Sequence, residues 1–577
     1  MTSGQGRRRF LGAAMCGAVA ACGGSSDSAS GSNSANAEAP VPGAQIDAAI
    51  AQLDTLANNL MTSTGVPGMS VAVVRNLQTV YAKGFGTRLL GSGLAVDPDT
   101  VFQIASLSKP VGSMVVAHQI GIGTVSWDTP VRAHLPWFTL SDADVSAQVS
   151  IGDLYSHRSG LPDHAGDLLE DMGYDQTTIL QRLRSLPLAP FRRSYAYTNF
   201  GLTAGAISVA SAAGVDWATL SEQTLYQPLG MASTSSRYAD FIARANRATG
   251  HVKRNGQWVI GLGSMPDAQS PAGGVSSSAN DMAKWLAMML GNGVFNGNRL
   301  VDATALNAAI SPQSQTAPAG NGQSASYYGF GFNVGTTAAG RASYSHSGAF
   351  GAGAATNFVV VPSTGCAIVV LTNGWPIGVP ETLTAQFFDL VQFGSIQRDW
   401  FKLYNDALAG LARPAGSLVG VAPPVSPFPA RALSTYTGTY NNDYYGPAQI
   451  SDAGGSLLLT IGATPLRLPL SHWDGDTFTF TLVNENAAPG TISKVSFLSN
   501  QVTLEYYNGK GWARLRVDRP FFPIDTAEDD FTDEAARARR LPERQRTSDG
   551  QRSPPSFDNR ASSLDYPAAT TPASSQA

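Results

Sequence analysis

Cysteine is almost missing from this chain of 577 residues: there are three, Cys16, Cys22 and Cys366. Two of them fall in a segment that reads as a leader, so no disulfide framework can be drawn and the compartment must be read from other residues. Charge is scarce too, at 14% of residues, with no basic surplus and a formal net charge of -4. A groove that tracks phosphates needs clustered Lys and Arg, so nucleic acid is excluded as an expected partner. His118, His134, His251 and His472 share no ligand spacing and no Cys/His cluster occurs, so neither a metal nor a cofactor is expected. The apolar run at residues 10–21 is too short to be a permanent membrane helix, which needs roughly 20 residues.

Apolar residues make up 43% of the chain, enough to bury a large core and to build two domains or more. Arg7, Arg8 and Arg9 precede the apolar run and Cys22 follows it, the layout of a signal peptide. Arg7-Arg8-Arg9-Phe10-Leu11 resembles a twin-arginine export signal and Val19-Ala20-Ala21-Cys22 a lipobox. They imply lipidation at Cys22 and an exported lipoprotein, periplasmic or held at the bacterial cell envelope by that anchor. The alternative is a leader cut at Ala18-Val19-Ala20, with Cys22 incidental. The expected organisation is a signal peptide (1–22), a flexible tether (23–43), a first domain (44–405), a proline-rich linker (406–431), a β domain (432–518) and a disordered tail (519–577).

Residues 69–74 and 80–85 read as an opening hairpin. Helices are expected from Ser106 to about Gln119, over 203–213, and after Ser278-Ala279-Asn280-Asp281, which has the capping-box form. Strands return at 328–334, 356–361 and 366–371, before a closing helix over about 380–393. Strands at both ends with helices between predict an α+β fold, one antiparallel sheet with a helical subdomain. In the β domain, strands split by Gly-rich turns are expected at 457–461, 477–482, 495–498, 502–507 and 513–517, a small barrel or sandwich.

The chemistry sits in Ser106-Leu107-Ser108-Lys109. A serine and a lysine three apart at a helix start share one face, and a neutral lysine there can take the serine proton. With seven lysines and abundant serine, one such pair is expected by accident. Two further elements lie downstream in order: Tyr197-Thr198-Asn199, then His346-Ser347-Gly348. Tyr440-x-Asn442, Tyr506-x-Asn508 and His164-x-Gly166 match as strings, but two lie in the β domain and the third precedes the tyrosine element.

This ordered set resembles the serine β-lactamase and penicillin-binding-protein superfamily, with its class C-like, esterase and D-aminopeptidase relatives. Trp127-Asp128-Thr129-Pro130-Val131, Ser156-His157-Arg158-Ser159-Gly160-Leu161-Pro162, Ala272-Gly273-Gly274-Val275 and Val370-Leu371-Thr372-Asn373-Gly374 extend the resemblance over about 45–405, and the β domain resembles an appended lipocalin-like module. The resemblance implies a β-lactamase/transpeptidase-like fold and an acyl-enzyme at Ser106, with Lys109 and Tyr197 moving the proton and Asn199 orienting substrate or the lysine. It also implies an oxyanion held by the amides of Ser106 and Ala349, with His346 and Gly348 in an edge strand that binds substrate. Phe191-Arg192 departs from the family, which often has Pro-Gly there. His157 reads as a structural loop residue. The expected activity is hydrolysis of an ester or amide, of carboxylesterase or peptidase type; a β-lactamase, a D,D-carboxypeptidase and a non-catalytic cell-wall peptide binder are the alternatives. The Gly-x-Ser-x-Gly elbow of α/β-hydrolases is absent. Where relatives carry lysine, His346 is mostly neutral at pH 7, which weakens attraction for carboxylated substrates.

Overall fold

The hairpin that opens the sheet turns on Asn76 and Leu77, both at positive φ (49° and 68°), the signature of a tight two-residue turn matched to strand twist. In this computed structural model, which describes residues 39–320, 324–508 and the backbone of 515–518, strands β1 (Gly68–Arg75) and β2 (Gln78–Gly86) flank that turn. Cys22 with the leader, the tether up to residue 38 and the tail after residue 518 lie outside the described residues.

The sheet is completed from the far end of the domain. Strands β3 (Ser314–Ala317), β4 (Ser326–Tyr328), β5 (Asn333–Thr336), β6 (Ala342–Phe350), β7 (Ala354–Val361) and β8 (Cys366–Thr372) give an eight-stranded antiparallel sheet of order β2-β1-β8-β7-β6-β5-β4-β3. β1 pairs with β8 from Met69↔Thr372 to Arg75↔Cys366, so strands from both chain ends of the domain meet one strand in from the β2 edge. Side chains alternate across β1. Val71 and Val73 pack with Leu53, Leu56 and Leu60 of α2 (Leu53–Thr64), which follows α1 (Gly43–Ala51), and with Leu383 and Phe387 of the closing helix, whereas Ala72 and Val74 face the opposite core. Coverage of both faces explains why the central strands are almost continuously apolar.

The helical layer is inserted between β2 and β3. Its main members are α3 (Ser108–Gly121), α4 (Asn199–Ala213) and α5 (Ala279–Leu290). α3 is buried on nearly every side, as the middle helix of such a layer must be. α4 starts four residues earlier than expected and stops at Gly214, whose φ of 73° supplies the left-handed cap. At the head of α5, Ser278 accepts the Asp281 amide N–H, the capping anticipated there. The closing helix, α6, spans Val379–Phe393.

The segment expected as one strand over 328–334 is two, β4 and β5, reversed through Gly331. Gly331 has φ 90° and a Cβ on it would lie 3.0 Å from the Lys109 carbonyl, so this turn packs against the base of the motif helix. Strand β6 sits inside the sheet, not at its edge; its pairing to β5 ends at Ser345, which leaves His346 to Phe350 unpaired on that side.

Eight antiparallel strands form the C-terminal barrel: β9 (Gly438–Asn441), β10 (Ala448–Asp452), β11 (Leu457–Ile461), β12 (Leu466–Asp474), β13 (Thr477–Asn484), β14 (Ala487–Leu498), β15 (Gln501–Leu504) and β16 (Leu515–Asp518), closed by β9 pairing with β16. Tyr436, Tyr440, Phe478 and Phe497 meet in its interior through edge-to-face and tilted ring contacts. The strand expected over 502–507 ends at Leu504, where the chain turns into the helical segment Glu505–Asn508. Among the described residues no helix is long and apolar enough to cross a membrane.

Candidate active site

Ser106 sits in a 3-10 turn, Ala105–Leu107, that runs directly into α3. The residue before it, Ala105, is held at φ 48°, a left-handed conformation that costs a non-glycine residue on the order of 1–3 kcal/mol. The surroundings enforce it. Ser108 Oγ donates to the Ala105 carbonyl at 2.6 Å and accepts from the Val275 amide at 2.9 Å, while Thr356 Oγ1 donates to the Ile104 carbonyl at 2.8 Å. Ser106 thereby stays partly exposed while Lys109, one turn on, is fully buried beneath it.

Lys109 Nζ lies 3.0 Å from Ser106 Oγ, 2.7 Å from Asn199 Oδ1 and 2.9 Å from the Ala272 carbonyl. Tyr197 OH is 2.9 Å from the same Ser106 Oγ, and the lysine amine rests over the Tyr197 ring at 4.6 Å. The structure therefore brings Ser106, Lys109, Tyr197 and Asn199 together around one oxygen. Asn199 opens α4 and turns its amide N–H toward Asp167, at 3.2 Å, and Asp167 also meets His164 Nδ1 at 2.7 Å.

β6 runs alongside. A Cβ on Gly348 would meet the Ile104 carbonyl and Thr356 Oγ1 at 2.4 Å and the Ser106 amide at 3.0 Å, so the strand at Gly348-Ala349 abuts the nucleophile turn. His346 is buried and both ring nitrogens are engaged. Nδ1 donates to the Ser347 carbonyl at 2.6 Å, which leaves Nε2 to accept the Tyr328 hydroxyl at 2.8 Å. Burial first, and the Lys109 charge second, push its pKa down to about 3. His157 lies against the Tyr197 ring, with Nδ1 accepting the Thr198 amide at 3.2 Å, the contacts of a structural residue.

Arg192, at the departure noted in the sequence, has φ 61°, a conformation that glycine adopts freely. Its guanidinium grips the fully buried Asp153 through Nε and Nη2, at 3.0 and 2.8 Å, and Arg158 Nε adds a bond at 2.8 Å. Burial raises the Asp153 pKa, but the two arginines prevail and hold the carboxyl below its usual range. The loop that leads into Tyr197 is thus tied down by an ion triad.

The decoys separate cleanly. Tyr440 is buried in the barrel and donates to the Tyr436 carbonyl, and Asn442 caps a turn through the amides of Tyr444 and Tyr445. His164 does reach the site, through Asp167 and by its ring at 5.8 Å from Tyr197. Sequence reasoning missed Asp167, the Ala272 carbonyl, Asp153 and Tyr328. The phrase Ala272-Gly273-Gly274-Val275 pointed to the right loop, but nothing in residue type discloses a backbone carbonyl. Among the described residues no group of three or more His, Cys, Asp or Glu is placed to hold a metal ion.

The Beta-lactamase family model matches residues 53–389, and a domain of unknown function, DUF3471, matches residues 422–509, which include most of the barrel. Penicillin-binding protein 4 of Amycolatopsis lactamdurans is 28% identical over 406 residues, 67% of this chain and 96% of that one. Unguisins hydrolase ungD of Aspergillus violaceofuscus is 26% identical over 495 residues, 78% of this chain and 85% of its own. Esterase EstB of Burkholderia gladioli is 28% identical over 195 residues, 31% of this chain and 50% of that protein. In fold, the octameric penicillin-binding protein homologue from Pyrococcus abyssi superposes with a TM-score of 0.54 at 19% identity, covering 81% of this chain and 99% of that one. With more than half its length matched by one family model, the chain belongs to the Beta-lactamase family.

Proposed function

We propose that this protein is a serine hydrolase that cleaves an ester or amide of carboxylesterase or peptidase type through an acyl-enzyme at Ser106. The observation that carries the reading is the convergence of Lys109 Nζ and Tyr197 OH on Ser106 Oγ, at 3.0 and 2.9 Å. Two lysine partners, Asn199 Oδ1 and the Ala272 carbonyl, can only accept. Deprotonated, the amine keeps an N–H for each and is the base for the serine hydroxyl 3.0 Å away. Lys109 then takes the serine proton as Ser106 attacks the carbonyl; Tyr197, on the other side of the oxygen, gives its own hydroxyl proton to the leaving group, and the proton held by Lys109 restores it. Water repeats the sequence on the acyl-enzyme. The amides of Ser106 and Ala349 receive the oxyanion. Relatives named as a hydrolase and an esterase support the reading.

A fluorophosphonate probe tests it: wild type is labelled, and Ser106→Ala loses labelling and turnover while keeping its melting temperature. Labelling that persists in Ser106→Ala overturns the assignment. We also propose export with lipidation at Cys22, on the leader residues alone.

A further inference from the structure

The hairpin joining β13 to β14 in the barrel reaches into the hydrolase domain beside the catalytic groups. Glu485, in its turn, accepts hydrogen bonds from two consecutive backbone amides, Gly351 through Oε1 and Ala352 through Oε2, the latter at 3.1 Å. Gly351 and Ala352 form the tight turn directly after β6, closed by the Gly353 amide donating to the Phe350 carbonyl at 3.0 Å. The seat is close on the backbone as well. A Cβ on Gly351 would lie 2.8 Å from the Glu485 carbonyl and 3.3 Å from the Trp375 ring, so only glycine lets the hairpin approach this far. The neighbouring Asn486 donates to Asp171 at 2.9 Å, at the end of the short helix Asp167–Asp171 whose first residue orients Asn199. One barrel hairpin thus touches the element after Ala349 and the element behind Asn199.

We propose that Glu485 is a positioning residue of the hydrolase site: by clamping the Gly351-Ala352 turn, the barrel fixes the end of β6 that presents the Ala349 amide to the oxyanion. The proposal rests on the Ser106 reading above. Only a carboxylate offers an acceptor oxygen to each of two adjacent amides, and the geometry uses both. The charged groups that face it are Asp167, Glu170 and Asp171, all acidic. Burial, opposed by the Gly351 amide and reinforced by Asp171, pushes the Glu485 pKa up to about 7. The clamp is therefore complete above neutral pH and loses an acceptor as Glu485 takes up a proton below it.

The test uses the full-length enzyme as wild type, Glu485→Ala, Glu485→Gln and Tyr174→Phe. The readouts are the fluorophosphonate labelling rate, kcat and KM on a short-chain p-nitrophenyl ester from pH 5.5 to 9, and melting temperature. Displacing a reacting group by about 1 Å costs up to roughly a hundredfold, so Glu485→Ala is expected to lower kcat and the labelling rate by at least about tenfold with KM within about twofold. Glu485→Gln, which keeps one acceptor, recovers part of the loss and removes the rise in activity through about pH 7 that wild type has over it. Tyr174→Phe, which removes a seam bond from the Tyr174 hydroxyl to the Tyr445 carbonyl of the barrel (2.9 Å), stays near wild type. Labelling of Glu485→Ala or Glu485→Gln at the wild-type rate overturns the proposal. So does an equal loss in Tyr174→Phe, which marks general docking of the barrel. A wild-type enzyme that fails to label or turn over overturns the Ser106 reading itself and this proposal with it.

Discussion

A methyl group on Gly348 would stand 2.4 Å from two oxygens, the Ile104 carbonyl and Thr356 Oγ1, and 3.0 Å from the Ser106 amide. Neither oxygen is the end of a flexible side chain, so β6 would have to move away from the nucleophile turn. Gly348→Ala is expected to cost about 1–3 kcal/mol of stability and to lower the labelling rate of Ser106 by more than the fold-loss of a surface change; labelling at the wild-type rate would show that the strand is not held against Ser106. Removing Lys109 as alanine, or the Tyr197 hydroxyl as phenylalanine, is expected to reduce turnover by on the order of a hundredfold or more each. Near-wild-type turnover in both variants would sink the proton-transfer scheme. His346 is neutral at every pH in ordinary use, with its pKa down at about 3 and both nitrogens bonded. It offers no cation to a substrate carboxylate, so uncharged esters are expected to be turned over faster than nitrocefin, and the reverse ranking refutes the argument. The same residue links stability to pH. Its unfolded-state pKa is about 6.5. Below that the unfolded chain binds a proton that the folded one refuses, so its stabilising contribution is present above about 6.5 and is lost as pH falls toward 3. His346→Gln should flatten the acid limb of a melting-temperature profile relative to wild type.

At the scale of elements, two buried carboxylates behave in opposite ways. Asp153 closes the capping box of its short helix, Ile151–Tyr155, and is gripped by Arg158 and Arg192. Asp153→Asn leaves those cations without their shared partner, and because both arginines are partly exposed the cost is expected at about 1–3 kcal/mol, below that of a fully buried pair. Because Arg192 begins the loop to Tyr197, kcat is expected to fall with stability; a loss of stability with kcat unchanged would separate the triad from the site. Glu381, in the first turn of α6 beneath β6, has no such cation among the described residues, and burial raises its pKa to about 7, with Ser347 opposing. Its unfolded carboxyl ionises near 4.5. Stability is therefore lost as pH rises from about 4.5 through about 7, by an amount on the order of 3 kcal/mol. Glu381→Gln is expected to raise the melting temperature at pH 8 and to leave it little changed at pH 5; equal effects at both would mean that the carboxyl is not the cause.

For the whole molecule, the barrel and the helical layer share one continuous buried apolar cluster, in which Met172 and Leu169 join the barrel's Tyr444 and Ile461. Polar contacts follow the same seam: the Gly166 amide donates to Tyr444 OH at 2.7 Å and Arg182 Nη1 to the Tyr444 carbonyl at 3.0 Å. The barrel therefore supports the segment that carries Asp167. The proposed anchor is also a property of the whole chain. With Cys22 lipidated, the protein should enter the detergent phase of a membrane extract, and Cys22→Ser should release it, because the acyl chains supply the attachment. Wild type found wholly in the aqueous phase refutes lipidation and leaves export standing.

Several features were legible along the chain. The opening hairpin, the helix after Ser106, the cap at Ser278 and the closing helix each depend on residues within a few positions of one another, where turn chemistry and periodicity act. The order of Ser106, Tyr197 and His346 pointed to the site, and Ser106, Lys109, Tyr197 and Asn199 do converge. Missed strands such as β9 and β10 are short and bounded by tyrosines that read equally well as turn or strand. By itself, then, the sequence determined the fold class and the side chains of the nucleophile group, because local patterning and residue type carry that information. Only the tertiary structure decided which backbone groups serve them. The Ala272 carbonyl on Lys109, the room left by Gly348, the burial that strips His346 of charge and the reach of Glu485 across 133 positions to Ala352 all arise from long-range packing, where the partner of a group is set by the folded geometry and not by its neighbours in the chain.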